Sequence, residues 1–290
     1  MNLRSLLFVP ADRPERFVKA AESGADALIL DLEDSVAPAR KDFGREAVRD
    51  WLSAGPVVPC FVRVNPLGGG DTEADLATVL PVCPQGLVLP KAEGAASITQ
   101  LVELAGGGTL PPILPIATET PVAVFQLGGY GAVADRLAGL TWGAEDLPAA
   151  IGAATSREAD GRYTPPYEMV RALTLFGAHA AGVPAIETVF PAMDAPDTLR
   201  SYVARARRDG FGGMMAIHPR QVDTINAGFA PSAAEIAHAQ ATVALFETSP
   251  EVGALRLDGK MLDRPHLIQA RRILALAVAA QARSGGTGHG

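Results

Sequence analysis

The chain has 290 residues, of which 48% are hydrophobic and 20% are charged, so it can bury a large core and is not globally disordered. Its formal net charge of −7, with no basic stripe or basic tail, argues against a nucleic-acid partner. No apolar run reaches the roughly 18 residues that a transmembrane helix needs, and the N-terminal run is too short for a signal peptide. We therefore expect a cytoplasmic protein with no membrane partner.

Eight short apolar runs alternate with amphipathic stretches over the first 230 residues. The runs that predict strands are 5–10, 27–34, 60–65, 86–91, 113–120, 137–146, 185–190 and 214–219. The stretches that predict helices are 14–23, 39–52, 72–80, 95–105, 121–128, 165–181, 197–209 and 221–228. Apolar strands that are each followed by a helix indicate a parallel sheet covered on the outside. Eight such units predict an α/β fold, the (β/α)₈ TIM barrel; a doubly wound open sheet is the alternative, although no GxGxxG motif follows the first strand.

The pattern changes after residue 230. Residues 231–247 predict a capped helix, 248–265 a polar loop with a turn at Asp258-Gly259, 266–282 a second helix and 284–290 a frayed tail. We interpret 1–230 as a catalytic barrel domain and 231–290 as a helix-loop-helix extension whose loop acts as a lid over the barrel.

Ionisable and polar side chains stand at the C-terminal ends of the predicted strands. They are Asp31, Glu33, Asp34, Arg63, Asn65, Lys91, Glu119, Glu145, Asp146, Glu187 and His218. In a barrel these ends face one mouth, where active sites of this fold are built. Burying so many charges for stability alone is unfavourable, because each desolvated ion costs several kcal/mol unless it is paired. The set therefore predicts a functional site, although single residues could form structural pairs, such as Arg63 with Asp31 or Asp34.

The types of side chain at the mouth bear on the metal that it could hold. The chain has no HExxH or CxxC motif and its five histidines are scattered, which disfavours zinc. Carboxylates from different strands suit Mg²⁺, with Mn²⁺ as an alternative. Glu119 could instead cap the following helix, and Glu145 is the weaker candidate of the Glu145-Asp146 pair. Lys91 raises a rival chemistry, that of a Schiff-base aldolase.

Eight segments, taken in order, resemble the citrate lyase beta-subunit-like proteins of the HpcH/HpaI aldolase superfamily, which includes the malyl-CoA and citramalyl-CoA lyases. The segments are 3–20, 25–41, 61–67, 87–94, 113–120, 140–147, 214–222 and 257–266. The resemblance covers nearly the whole chain. It implies a (β/α)₈ barrel with a C-terminal lid, assembled as a homotrimer or as multiples of it such as a hexamer.

The resemblance also implies which residues form the site. The Mg²⁺ ligands would be Glu119 and Asp146. Arg63, in the segment FVRVNPL, would hold the carboxylate and the oxyanion of the substrate. The residues that contact coenzyme A would be Phe8, Arg13 and Lys19. A further catalytic residue, Asp263 of the lid, would reach the active site of a neighbouring subunit.

Two departures from the family pattern concern the acyl carrier. Relatives usually have FVPG where this chain ends the motif with Ala11, a residue with less backbone freedom than glycine. Many relatives have GK before the IHP segment, where this chain has Gly213-Met214 and lacks a cation. These differences leave both coenzyme A and an acyl-carrier protein open as the carrier.

The resemblance predicts a Mg²⁺-dependent carbon–carbon lyase. It would cleave or form a short 3-hydroxyacyl-CoA thioester, such as malyl-CoA, citramalyl-CoA or a citryl thioester, with acetyl-CoA and a 2-oxoacid as products. Two alternatives use the same site: a malyl-CoA thioesterase, and a citrate-lyase-type subunit that acts on an acyl-carrier protein.

Overall fold

The computed structural model describes residues 3–248, 251 and 253–284 of the chain. Eight parallel strands form a sheet in the order β5-β4-β3-β2-β1-β8-β7-β6. The strands are β1 (Ser5–Pro10), β2 (Ala27–Asp31), β3 (Cys60–Arg63), β4 (Gly86–Leu89), β5 (Ile113–Pro115), β6 (Leu140–Thr141), β7 (Ala185–Glu187) and β8 (Gly213–Ala216). Backbone hydrogen bonds from Ala117 to Thr141 (2.9 Å) and from Ala138 to Ile113 (2.8 Å) join β5 to β6. The sheet thus closes into a barrel, which confirms the predicted TIM-barrel class.

Helices follow the strands along the chain. They are α1 (Phe17–Ala21), α2 (Lys41–Ser53), α3 (Asp71–Val79), α4 (Ala95–Leu104), α5 (Pro121–Gln126), α6 (Leu147–Ile151), α7 (Pro165–Ala180), α8 (Pro196–Asp209) and α9 (Pro219–Phe229). Short 3₁₀ segments occur at Pro14–Arg16, Pro38–Arg40, Leu80–Val82 and Leu127–Arg136. Over the described ranges, no helix has both the length and the apolar character that crossing a membrane requires.

The barrel interior is filled by apolar side chains from the strands. The cluster includes Leu6, Ile29, Phe61, Val88, Leu114, Ile186 and Met215, each no more than 2% exposed. Because side chains alternate across a strand, these residues point inward and their neighbours point toward the helices. A packed interior leaves only the ends of the barrel for a site.

Several strands end earlier than the apolar runs predicted. Strand β2 ends at Asp31, three residues before the end of the predicted run, and β5 ends at Pro115. At Asp31 the cause is local, since its Oδ1 accepts a 2.9 Å hydrogen bond from the backbone N–H of Glu33 and bends the chain. Residues beyond these ends therefore lie in loops around the mouth.

The start of α5 decides one of the alternatives for Glu119. Thr120 adopts an extended conformation, and its hydroxyl accepts a 3.2 Å hydrogen bond from the backbone N–H of Ala123. Pro121 occupies the first helical position, where its missing N–H costs nothing. Thr120 is therefore the cap, and the interpretation of Glu119 as a helix cap is wrong.

The predicted loop at 248–265 is wrong over residues 254–263, which form an antiparallel hairpin. Its strands are β9 (Ala254–Leu257) and β10 (Lys260–Asp263). The turn residues Asp258 and Gly259 both have positive φ, at 48° and 78°, as the preferred two-residue hairpin turn requires. The Asp-Gly pair correctly predicted the turn. The flanking strands were not predicted because half of their residues are exposed, so they do not form apolar runs.

The chain divides into two compact units, Leu3–Asn226 and the described part of Ala227–Gly290. The second unit contains α10 (Ala233–Glu247), the hairpin and α11 (Arg264–Ser284). Helix α10 begins with a capping box between Ser232 and Glu235, and it packs against α11. The predicted boundary at 230/231 and the function of the second unit as a lid stay predictions, and the predicted frayed tail lies outside the described residues after 284.

Glu187 belongs to the core of the fold and does not face the mouth. It ends β7, but its side chain is fully buried and points away from the barrel interior, since the preceding Ile186 points inward. Its Oε1 accepts a 2.6 Å hydrogen bond from Nε1 of Trp142, and its Oε2 lies 2.7 Å from Nε of Arg171 on α7. Arg171 also contacts Asp209 at the end of α8. This network ties β6 and β7 to the two helices that cover them.

We predict that Glu187→Gln lowers the free energy of unfolding by about 3 kcal/mol, because it leaves the buried Arg171 without its closest counter-charge. Chemical denaturation followed by circular dichroism measures the change. Glu103→Gln removes a carboxylate from an exposed position on α4 and is the matched control, with an expected change within about 0.5 kcal/mol. Equal losses in the two variants would contradict the structural role of Glu187.

Candidate active site

A cavity of about 460 Å³ opens at the C-terminal end of the barrel. Its wall carries charged residues beside apolar side chains such as Ile116 and Met215. The charged residues are Arg16, Asp31, Asp34, Arg63, Glu119, Glu145 and Asp146. Carboxyl groups outnumber cations along this wall, which favours a positively charged ligand.

The structure brings four of the residues named by the resemblance to this cavity. They are Phe8, Arg63, Glu119 and Asp146. Arg13 and Lys19 are exposed, on the 3₁₀ segment's N-terminal flank and on α1 respectively, and they do not line the cavity. Asp263 belongs to the second unit, where its Oδ1 lies 2.5 Å from Nδ1 of His266. The roles of all seven residues stay predictions.

Arg63 is held in one orientation by Asp31. Its Nε and Nη2 donate to the two carboxylate oxygens of Asp31 at 2.6 and 2.7 Å, and its guanidinium lies 4.9 Å from the ring centre of Phe8. Burial by itself would raise the pKa of Asp31, but the bonds from Arg63 outweigh burial and lower it. Asp31 is therefore a permanent anion that fixes a permanent cation at the mouth.

Glu33 lies between Arg63 and Lys91. Its Oε1 accepts a 2.6 Å hydrogen bond from Nζ of Lys91. Its Oε2 lies 2.8 Å from Nη1 of Arg63, but the N–H is not aligned for a hydrogen bond, so this contact is an ion pair. Burial raises the pKa of Glu33 although both cations oppose the shift. One carboxyl group thus connects the tips of three neighbouring strands.

Lys91 follows β4 and contacts two carboxyl groups besides Glu33. Its backbone N–H donates a 2.5 Å hydrogen bond to Oε2 of Glu119, and its Nζ lies 3.8 Å from Oδ1 of Asp146. Burial tends to lower the pKa of the ammonium group, but the bond to Glu33 and the nearby acids raise it. A Schiff-base lysine must lose its proton to attack a carbonyl, so this environment opposes the rival chemistry.

Glu119 is a buried carboxyl group whose pKa is raised. It is 4% exposed, and burial, with repulsion from Asp146 and Glu33, raises its pKa to about 8 against the opposing bond from Lys91. Gly143 leaves room for it, since a Cβ there would lie 2.8 Å from Cγ of Glu119. A carboxyl group that is buried beside other acids tends to bind a proton or another cation.

Asp146 and Glu145 differ in their surroundings. Asp146 stands at the cap position of α6 but makes no side-chain hydrogen bond to that helix, and it is only partly exposed. Glu145 is exposed on the same wall of the cavity. Of these two acids, Asp146 is the one that contacts Lys91 and whose charge raises the pKa of Glu119.

A polar layer behind the mouth, which the sequence analysis missed, holds the loops in place. Nζ of Lys41, at the start of α2, donates to the carbonyls of Leu32 (2.6 Å) and Glu33 (2.8 Å) and to Oδ1 of Asn65 (2.7 Å). Asn65 in turn donates to Asp75, which also accepts from Arg45. The spacing of Lys41 and Arg45, one helical turn apart, was visible in the sequence, but nothing there indicated which loop they would reach.

His218 lies in the loop after β8 and does not line the cavity. Its Nδ1 accepts a 3.1 Å hydrogen bond from the backbone N–H of Arg220. Burial lowers the pKa of His218, and the nearby charges of Arg220 and Lys19 lower it further. Burial and the two neighbouring cations therefore favour the neutral form of His218.

Comparison with known proteins places this geometry in a family. The model of the HpcH/HpaI aldolase/citrate lyase family matches residues 4–219. A citrate lyase subunit beta-like protein of Mycobacterium tuberculosis (strain ATCC 25618 / H37Rv) is 37% identical over 96% of this chain and 98% of its own length. A (3S)-malyl-CoA thioesterase of Cereibacter sphaeroides (strain ATCC 17023) is 32% identical over 95% of each chain.

The crystal structure of the protein CitE from Mycobacterium tuberculosis in complex with magnesium, acetoacetate and coenzyme A is also similar. It superposes with a TM-score of 0.82 and 35% identity, covering 96% of this chain and 98% of that one. The chain therefore belongs to the HpcH/HpaI aldolase/citrate lyase family, which confirms the predicted enzyme class of carbon–carbon lyase.

Proposed function

We propose that the protein is a Mg²⁺-dependent lyase that cleaves, or in reverse forms, a short 3-hydroxyacyl-CoA thioester. Malyl-CoA and citramalyl-CoA are the proposed substrates, and acetyl-CoA and a 2-oxoacid are the products. The observation that carries the proposal is the pair of carboxyl groups, Glu119 and Asp146, in one cavity with an oriented Arg63. The magnesium, acetoacetate and coenzyme A in the similar CitE structure support it.

The residues at the mouth fit a magnesium ion. Mg²⁺ prefers carboxylate oxygens and is usually bound by one or two of them together with water and substrate. Burial and the neighbouring acids raise the pKa of Glu119 to about 8, and a divalent cation would relieve both causes. Within residues 3–248, 251 and 253–284, no group of three or more Asp, Glu, His or Cys side chains is arranged to hold a metal. The ion would therefore have two ligands from the protein, Glu119 and Asp146, and an open side for the substrate.

The chemistry is a retro-Claisen cleavage, in which the 3-hydroxyl group loses its proton and the C2–C3 bond breaks. The products are the thioester enolate, which must then gain a proton, and a 2-oxoacid. When bound, Mg²⁺ supplies a Lewis acid for the oxygens of the hydroxy acid or oxoacid.

Arg63 has the geometry to bind the anionic part of the substrate. A guanidinium has five N–H donors, and Asp31 takes two of those on Arg63. Nη1 also lies 2.8 Å from Oε2 of Glu33, but its N–H groups are not aligned with that oxygen. The donors that neither carboxylate takes would bind the carboxylate and developing oxyanion of the substrate, and a charged donor held in advance stabilises such an anion strongly. Asp31 thus orients the group that we propose to bind the substrate.

The carrier end of the substrate would lie at the β1 side of the mouth. Phe8 lines the cavity, and the exposed Arg13 and Lys19 are close to it in sequence. Met214, at the position where many relatives have lysine, is an uncharged side chain that is fully buried in β8, so no cation at this position contacts the carrier. We propose coenzyme A as the carrier, with an acyl-carrier protein as the alternative.

A malyl-CoA thioesterase is the second candidate function, because a relative of that name is 32% identical to this chain.

For the lyase, we predict that the purified protein with Mg²⁺ releases glyoxylate from malyl-CoA or pyruvate from citramalyl-CoA. Free malate without glyoxylate would show hydrolysis instead. Liquid chromatography with mass spectrometry separates the two outcomes.

The same assay tests the metal ligands. Glu119→Gln and Asp146→Asn should each lower kcat/KM by about 10³-fold or more, as should chelation by EDTA, since removal of a charged group that acts in the transition state has this order of effect. Glu103→Gln is the control and should retain wild-type activity. Full activity in either ligand variant would rule out the proposed metal site.

We predict that the stability of the metal-free protein falls between about pH 5 and pH 8. The folded-state pKa of Glu119, about 8, lies above the ordinary value of 4.5 for a glutamate side chain. The unfolded chain therefore loses this proton first, and unfolding becomes easier as the pH rises. The contribution is on the order of 4 kcal/mol. Denaturation in EDTA across this range should show a shallower decline for Glu119→Gln than for wild type. Parallel curves would contradict the perturbed carboxyl group.

We propose that Asp263 acts in proton transfer at the site of a neighbouring subunit, as the resemblance implies. Two inactive variants, Arg63→Ala and Asp263→Ala, should then regain activity when unfolded, mixed and refolded together, because some mixed sites receive both native residues. Each variant refolded alone is the control. No recovery in oligomers that contain both chains would rule out a shared site.

A further inference from the structure

Lys91 contacts both proposed metal ligands, but through different groups. Its backbone N–H donates to Oε2 of Glu119 at 2.5 Å. Its side-chain nitrogen lies 3.8 Å from Oδ1 of Asp146. Lys91 thus contacts two carboxyl groups that follow different strands, β5 and β6, and none of the roles proposed above uses it.

The backbone of Lys91 has a conformation that residues with a Cβ avoid. Its φ is 50°, and among the described non-glycine residues only Cys83 and Asp258 also have a positive φ. This left-handed conformation costs free energy and persists only where surrounding contacts determine it. At Lys91 the determining contact is visible, since the turn after Leu89 directs the N–H toward Glu119.

The ammonium group is anchored on one side only. It lies 2.6 Å from Oε1 of the buried Glu33, whereas its contact with Asp146 is longer and purely electrostatic. The Lys91 side chain is 34% exposed, so water and ions reach it. A positive charge at this point reduces the repulsion among the three carboxyl groups around it, Glu33, Glu119 and Asp146.

We propose that Lys91 is a positioning residue that holds the Glu119–Asp146 pair in place and also limits its affinity for a divalent cation. The inference rests on the proposed metal site. The N–H keeps Glu119 oriented whether or not an ion is present. The ammonium group repels a second cation near Asp146, because like charges a few ångströms apart in a partly buried site interact strongly.

The two carboxylates attract a divalent cation and the ammonium group of Lys91 repels it. A site with two protein carboxylates and a nearby ammonium group binds a divalent cation weakly until a substrate supplies further oxygen ligands and negative charge. Metal and substrate then bind cooperatively, each raising the affinity for the other by the same factor. Lys91 thereby couples occupation of the metal site to the presence of an anionic substrate.

Titration calorimetry of Mg²⁺ into the substrate-free, full-length protein tests the inference. Lys91→Gly removes the ammonium group but keeps the N–H and suits the positive φ, so it should bind Mg²⁺ about ten-fold more tightly than wild type. Lys91→Arg keeps the charge and should stay near wild type. Arg136→Gln removes one positive charge from an exposed position on the 3₁₀ segment Leu127–Arg136 and is the control for net charge, with no expected change.

The coupling gives a second measurement on the same variants. Pyruvate, a stable 2-oxoacid, should tighten Mg²⁺ binding to wild type by a larger factor than to Lys91→Gly. Equal Mg²⁺ affinity in Lys91→Gly and Arg136→Gln, or weaker affinity in Lys91→Gly than in wild type, would overturn the inference.

Thermal unfolding tests the backbone part separately. Lys91→Ala and Lys91→Gly both lack the charge, but alanine pays the cost of the left-handed conformation and should unfold about 2–4 °C lower. An alanine variant as stable as the glycine variant would show that the conformation imposes no strain.

Two ligand variants distinguish failure of the inference from failure of the proposed function. If Glu119→Gln and Asp146→Asn bind Mg²⁺ as wild type does, the metal site is wrong and the inference is overturned with it. If both lose Mg²⁺ binding while Lys91→Gly binds as wild type does, the metal site stands and only the role of Lys91 is overturned.

Discussion

The bidentate ion pair between Arg63 and Asp31 is the contact on which the geometry of the mouth depends. Both groups are charged and nearly buried, so each would be costly to leave alone and they are held by two short hydrogen bonds. Asp31 also accepts the backbone N–H of Glu33, which bends the chain at the end of β2. One carboxylate therefore sets the direction of the cation and the start of the loop that carries the next acid.

Glu33 extends this arrangement to β4 through Lys91, and Lys41 supports it from behind. Because Lys41 donates to the carbonyl groups of Leu32 and Glu33, helix α2 takes part in placing an acid that it does not itself carry. Asn65 and Asp75 continue the chain of hydrogen bonds to α3. A buried polar network whose members are paired in this way restricts its residues to one arrangement.

Glu119 and Glu187 show that an acid at the end of an apolar run does not always face the mouth. Both acids come at or after the end of an apolar run, and the sequence analysis placed both at the mouth. Glu119 lies beyond the last paired residue of β5 and enters the cavity, whereas Glu187 is still paired within β7 and points outward to Trp142 and Arg171. Side chains alternate along a strand, so an inward-pointing Ile186 implies that Glu187 points outward. This inference requires knowing that Glu187 still belongs to the strand, which the sequence did not show.

The sequence by itself determined the fold class, since eight apolar runs with helical stretches between them leave few arrangements other than a closed parallel barrel. It also placed the acids and the arginine near one end, because parallel strands bring their C-terminal ends together. Only the tertiary structure decided which of these groups touch. The bond from Lys91 to Glu119, the position of Glu33 between two cations and the reach of Lys41 depend on strand register and loop geometry, which arise from packing between segments far apart in the chain.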